Sequence, residues 1–195
     1  MKRRALDFMF SICLLMLLVG SARAQMQVGL PATPLGYCQT PAASLSSAVG
    51  LSACVGASFT ATCSGSTLTA SAVTGDINLG WPLSGTGIVA GTYVLSYGTG
   101  TGGSGTYITS QPCTSSSNSV TAVGPPIGAN FALMQAETQN IRWRDDGGAP
   151  TTTVGVILPS GLSPLMYNGT LKNIQFIDAT AGGILDVSFY KTSSP

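Results

Sequence analysis

Residues 59–73 read Phe-Thr-Ala-Thr-Cys-Ser-Gly-Ser-Thr-Leu-Thr-Ala-Ser-Ala-Val, and this stretch constrains the fold more than any other. Runs rich in β-branched residues lie on both sides of Ser64-Gly65-Ser66 and alternate about it, which is the pattern of a β-hairpin. In this part of the chain no window carries apolar residues at i, i+3, i+4 and i+7, the stripe that a surface helix needs. Further strand candidates fall at residues 77–83, 91–97, 107–110 and 120–123. The segment 57–123, rich in Gly, Ser and Thr, is therefore expected to be an all-β module.

One motif could overturn that reading. Residues 98–107, Gly-Thr-Gly-Thr-Gly-Gly-Ser-Gly-Thr-Tyr, contain G-x-G-x-x-G twice. A dinucleotide site needs those glycines between a strand and a helix, with an acidic residue about 20 positions on to hold the ribose. Here the run at Thr106-Tyr107-Ile108-Thr109 is another strand, and no Asp or Glu lies between Asp76 and Glu137. A phosphate-binding loop of the Walker type would need a following Lys, and none is present. The glycines are expected to connect two strands, and no cofactor is expected.

The N-terminus reads as an export signal. Lys2, Arg3 and Arg4 precede an apolar run from Phe8 to Val19, and Ala22-Arg23-Ala24 supplies small residues at a cleavage site. The run is shorter than the ~20 residues a membrane span requires. Residues 1–24 are expected to be removed, leaving no stable membrane span; the alternative is retention as an uncleaved anchor. Removal takes away Lys2, Arg3, Arg4, Arg23 and Asp7, so the mature chain keeps four of eight basic and six of seven acidic groups. Without a basic patch it is not expected to bind nucleic acid.

Cysteine usage agrees with export to the periplasm, the extracellular space or a virion. Cys13 leaves with the signal, and Cys38, Cys54, Cys63 and Cys113 remain, an even number that fits two disulfides. Four cysteines allow three pairings. Cys63–Cys113 and Cys38–Cys54 are favoured because each lies within one sequence segment. Wide spacing and the absence of histidine argue against zinc, and no metal is expected.

Composition divides the mature chain. Residues 25–56, rich in Pro, Ala and Ser, read as an extended lead-in or linker. Residues 57–123 carry one charge, Asp76. Gly124-Pro125-Pro126 is a stiff break, and residues 127–195 hold all the other charges of the mature chain. Two small antiparallel modules are expected, the second resembling a β-sandwich or jelly roll. Its strand signals are the alternation in Ile141-Arg142-Trp143-Arg144, Ile174-Gln175-Phe176 and Leu185-Asp186-Val187-Ser188-Phe189, with Val154–Leu158 as a central strand. Asp145-Asp146-Gly147-Gly148 supplies turn chemistry. A short helix is expected within residues 129–138, where Phe131, Leu133 and Met134 cluster. Asn168-Gly169-Thr170 fits both a glycosylation sequon and a hairpin turn, and the turn is the preferred reading.

The runs Phe59-Thr-Ala-Thr-Cys-Ser-Gly-Ser-Thr-Leu-Thr-Ala, Gly80-Trp-Pro-Leu-Ser-Gly-Thr-Gly-Ile-Val-Ala-Gly-Thr-Tyr and Gly98–Tyr107 resemble a β-module of tailed-phage and prophage virion proteins, where it is an accessory domain of tail fibres. Residues 141–155, with Ile174–Ile177 and Leu185–Tyr190, resemble small phage-type proteins. The resemblance implies a structural or adhesion role in a virion or on a surface, with no enzymatic activity. The signal and the cysteines depart from a cytoplasmically assembled virion, which keeps open a secreted bacterial carbohydrate- or surface-binding protein unrelated to phages.

The candidate binding or assembly surface is Arg142, Trp143, Arg144, Asp145, Asp146 and Tyr167. Arginine and aromatic side chains together are enriched at binding surfaces. Paired carboxylates can also bind calcium or do acid–base work, but adjacent Asp residues at a strand end more often cap a turn and pair with a neighbouring arginine. With no histidine, Ser-His and Cys-His nucleophile activation is excluded. The chain is expected to be a homo-oligomer or a component of a virion or cell surface, with a surface glycan as the candidate ligand.

Overall fold

The computed structural model describes residues 32–40 and 44–192; the expected signal peptide, residues 1–24, lies outside them. The described chain is nearly all β, as the alternation and turn punctuation require. Its only helical pieces are 3-10 turns at Ser44–Ser46 and Leu51–Ala53. The hairpin read from residues 59–73 is present: β3 (Val55–Ser64) pairs with β4 (Thr67–Gly75) across a turn in which Gly65 has φ 61°, a conformation few other residues adopt. The glycine run lies between β6 (Val94–Tyr97) and β7 (Gly105–Thr109), with Tyr97 opposite Tyr107. A strand, and not a helix, follows the glycines.

Β-strand pairing extends well past this module. The remaining strands are β1 (Ala32–Thr40), β2 (Val49–Gly50), β5 (Leu83–Gly85), β8 (Ser116–Val123), β9 (Phe131–Glu137), β10 (Ile141–Arg144), β11 (Val156–Leu158), β12 (Leu165–Tyr167), β13 (Gln175–Asp178) and β14 (Ile184–Thr192). A ten-stranded sheet runs β12-β9-β14-β1-β3-β4-β7-β6, with β8 pairing both β3 and β5. A second sheet has the order β11-β10-β13-β2. All strand pairs are antiparallel.

Several expectations change. The lead-in is structural: β1 pairs with β14 along its length and touches β3 at Gln39–Val55, so it bridges the two halves. The halves divided by composition at Gly124-Pro125-Pro126 belong to one compact unit with one core. That segment is itself bound on both sides, with Gly124 N–H donating to the Cys54 carbonyl and Ile127 N–H to the Gly80 carbonyl. The expected helix within residues 129–138 is strand β9. Ala132, Met134 and Ala136 are buried while Phe131, Leu133 and Gln135 are less so, a period of two fixed by β14 on one side and β12 on the other.

Val154–Leu158 is not central. Only Val156–Leu158 forms a strand, at the edge of the small sheet, with Val156 56% and Ile157 45% exposed. Asp145–Gly148 opens a loop of residues 145–155 rather than a tight hairpin, and Asn168-Gly169 turns the chain between strands of different sheets. Of the run 77–83, only Leu83 is in a strand. Gly80 has φ 78°, and Pro82 donates no hydrogen bond to a ladder.

Trp81 is the anchor of the shared core. It is fully buried, its ring meets Phe189 of β14 edge-on at 5.9 Å, and its Nε1–H donates to the Leu35 carbonyl at 2.7 Å. Gly36 and Gly56 lie against the indole, where a Cβ would collide, and Gly124 packs in the same way on Phe189. Both favoured disulfides are present. Cys38–Cys54 ties β1 to the entry of β3, and Cys63–Cys113 ties β3 to the segment before β8, with Cα–Cα distances of 5.5 and 5.6 Å. These bonds are the chemistry of an oxidising, export-type environment. Among the described residues no helix is long and apolar enough to cross a membrane.

Candidate functional site

Strand β10 lies between β11 and β13, so its backbone is paired on both edges and its side chains have fixed directions. Ile141 faces the core and is fully buried. Trp143, on the same side, is half-buried and meets Tyr167 of β12 edge-on at 6.1 Å. Arg142 and Arg144 occupy the opposite side.

The two arginines have different jobs. Arg142 donates through Nε to the Thr152 carbonyl at 2.9 Å and through Nη1 to the Gly155 carbonyl at 3.0 Å, which holds the 145–155 loop onto the strand. Arg144 makes a bidentate pair with Asp146, at 3.0 and 2.6 Å, and its guanidinium lies over Gly148, where a side chain would collide. Gly148 N–H also donates to Asp146 Oδ1. The hydrogen bonds from Arg144, then that from Gly148, hold the Asp146 carboxyl down at about 2, and Asp146 in turn raises the Arg144 guanidinium. Asp145 points elsewhere and accepts from the Tyr167 hydroxyl at 3.1 Å. Burial, and then that bond, raise the Tyr167 phenol above its ordinary value.

All six residues expected at the site therefore lie close to β10, linked as Trp143–Tyr167–Asp145 and Arg144–Asp146. Trp143, Arg144, Asp145 and Asp146 line one side of an open cleft of about 300 Å³, closed on the other side by Val154, Gly155 and Val156. Arg142 and the buried Tyr167 do not line it. Each carboxylate already has a partner, and among the described residues no group of three or more acidic or cysteine side chains could hold a metal ion. The arrangement is an open ledge of Trp143, backed by the buried Tyr167 ring, beside an exposed ion pair and an apolar wall. It can recognise a surface by shape and hydrogen bonding.

Sequence reasoning missed a second polar cluster. Tyr37 and Gln39 of β1 lie beside Asp186 of β14, and Gln135 and Glu137 of β9 lie on its other side. The Tyr37 hydroxyl donates to Asp186 Oδ1, and Gln39 Nε2 donates to the same oxygen at 3.0 Å. Burial of its hydroxyl, then the bond to Asp186, push Tyr37 up to about 12. The hydrogen bond that Glu137 shares with Asp186, with the repulsion between their charges, raises the Glu137 carboxyl. The alternation around Asp186 shows which residues face outward. Its partners lie 147–149 positions away in a segment read as a linker.

No protein-family model matches the chain, and no curated protein or solved structure matches it.

Proposed function

We propose that this is a non-enzymatic, exported structural and binding protein that works at a surface, as an accessory adhesion or assembly protein of the phage or prophage type that its glycine-rich runs resemble. The observation that carries this reading is the β10 ledge. Trp143, Tyr167, Arg144 and Asp146 are fixed before any partner arrives, which lowers the ordering cost of association. Two disulfides suit the same scaffold to work outside the cell.

The test uses the mature chain, residues 25–195, with both disulfides formed. Its mass in solution and its binding to intact bacterial cells are measured for the parent and for Trp143→Ala and Arg144→Ala. Loss of cell binding, or of an oligomer, in both variants with an unchanged fold supports the ledge as the contact surface. Unaltered binding and mass in both would reject it. The second reading, a secreted carbohydrate- or surface-binding protein unrelated to virions, is favoured by the polar and aromatic cluster around Tyr37 and Asp186.

A further inference from the structure

The outward face of β12-β9-β14-β1 is built differently from the rest of the surface. Cross-strand register sets Met166, Leu133, Ser188 and Tyr37 side by side in one row, and Gln135, Asp186 and Gln39 in the next. Neighbouring strands are ~4.8 Å apart, so the four-residue row spans ~14 Å and the three-residue row ~10 Å. Tyr37 is 51% and Met166 71% exposed, while the alternate residues Cys38, Met134, Leu185 and Val187 fill the core beneath. A cleft of about 340 Å³ opens over the two rows, lined by Tyr37, Leu133, Gln135, Glu137, Asp186 and Ser188, with Pro164 at its rim.

The chemistry of that face selects among ligands. None of its lining residues is a cation, and Lys191 of β14 has the parity of the buried side. Phosphate, sulfate and carboxylate ligands would meet Glu137 and Asp186 unscreened. A second copy of the chain seated symmetrically would set this carboxylate pair against itself. What the face does offer is acceptors in carboxylate, amide and hydroxyl oxygens, next to an exposed aromatic ring and two aliphatic side chains. A sugar ring matches both, because its hydroxyls donate hydrogen bonds and its C–H face is apolar. We propose that this sheet face is a binding site for a neutral, hydroxyl-rich glycan, with Tyr37 as the stacking platform and Asp186 as the main acceptor. The inference rests on the second functional reading and uses a surface separate from the β10 ledge.

The test is calorimetric titration of the mature chain with neutral glucose, mannose, xylose and N-acetylglucosamine oligosaccharides, with and without EDTA. At least one series is expected to bind, and Tyr37→Ala and Asp186→Asn are each expected to weaken it ~10-fold or more, equivalent to ~1.4 kcal/mol. Tyr37→Phe, which keeps the ring, should retain more affinity than Tyr37→Ala. Both positions face outward, so circular dichroism should show parent-like folding. Binding lost in Trp143→Ala but kept in Tyr37→Ala would overturn this assignment while leaving a carbohydrate-binding protein. Absence of binding to every series would overturn both, and binding abolished by EDTA would assign the face to a cation instead.

Discussion

Inward positions between β3 and β8 combine four alanines, Ala57, Ala61, Ala70 and Ala122, with the two large rings of Trp81 and Tyr107 and with Phe59, Leu68, Ile77 and Val120. Those from β9 to β14 are filled by Met134, Ile141, Phe176, Leu185, Val187 and Phe189. The first region has one charge in residues 57–123 and relies on backbone ladders, a disulfide and loop–ring contacts. Tyr107 is an example: its hydroxyl accepts from Gly102 N–H at 3.1 Å and donates to the Gly103 carbonyl, so the glycine loop folds over one buried ring. The second region buries two alanines, Ala132 and Ala136, and keeps its charged groups at least partly exposed apart from the buried Asp178. The contrast teaches that a composition boundary is a boundary of surface chemistry. It need not be a boundary of the core, because Trp81 from one region packs on Phe189 of the other.

Trp81→Ala is the sharpest way to break that comparison. It should cost about 3–5 kcal/mol, as removal of a large buried aromatic does, and the loss should come near the upper end because the indole touches both regions. Urea unfolding followed by tyrosine fluorescence and far-UV circular dichroism should give one shifted transition. Two separated transitions in the parent protein would show that the regions unfold independently.

The disulfides come next. In the chain-entropy model, closing the 50-residue span of Cys63–Cys113 stabilises by about 4 kcal/mol, and the 16-residue span of Cys38–Cys54 by about 3 kcal/mol. Paired Cys→Ala variants should rank in that order by denaturant midpoint, with the glycine-rich region the more dependent on its bridge.

Asp178 gives a smaller effect in the second region. It is buried, and its Oδ2 accepts from Gly182 N–H at 3.0 Å and Gly183 N–H at 3.2 Å. Asp178→Ala leaves both donors unpaired and should cost about 1–3 kcal/mol, while Asp178→Asn, which keeps an acceptor, should cost less. Thermal unfolding of the two variants side by side checks this.

The exposed charges should matter least for stability. Asp146 titrates at about 2 in the fold, below the ordinary value near ~4, so its pair with Arg144 adds stability above pH ~4 and loses it as pH falls through about 2. Arg144→Ala should move the Asp146 carboxyl resonance in an NMR titration back toward the ordinary range, with little change in melting temperature. Tyr37 behaves oppositely. Raised to about 12, it contributes below pH ~10 and stops contributing as pH rises through about 12, which ultraviolet titration of the phenol reads directly.

Local order was legible in the chain itself. The β3–β4 hairpin, the strand after the glycine run, the alternation on β10 and β14, and the grouping of Arg142 to Asp146 all follow from contacts between near neighbours, where the period of two and turn residues act directly. Tertiary structure decided what depends on distant partners. Residues 129–138 became a strand because β12 and β14 pair with them, and β11 became an edge because β10 has β13 as its other neighbour. Residues 32–40, read as a linker, became the strand that joins both halves, since Pro34 and Gly36 interrupt the alternation while β14 supplies the register. The Tyr37–Asp186 cluster shares that origin. A side chain's direction is written in its own strand, but its neighbour across the sheet is set only when the strands pair.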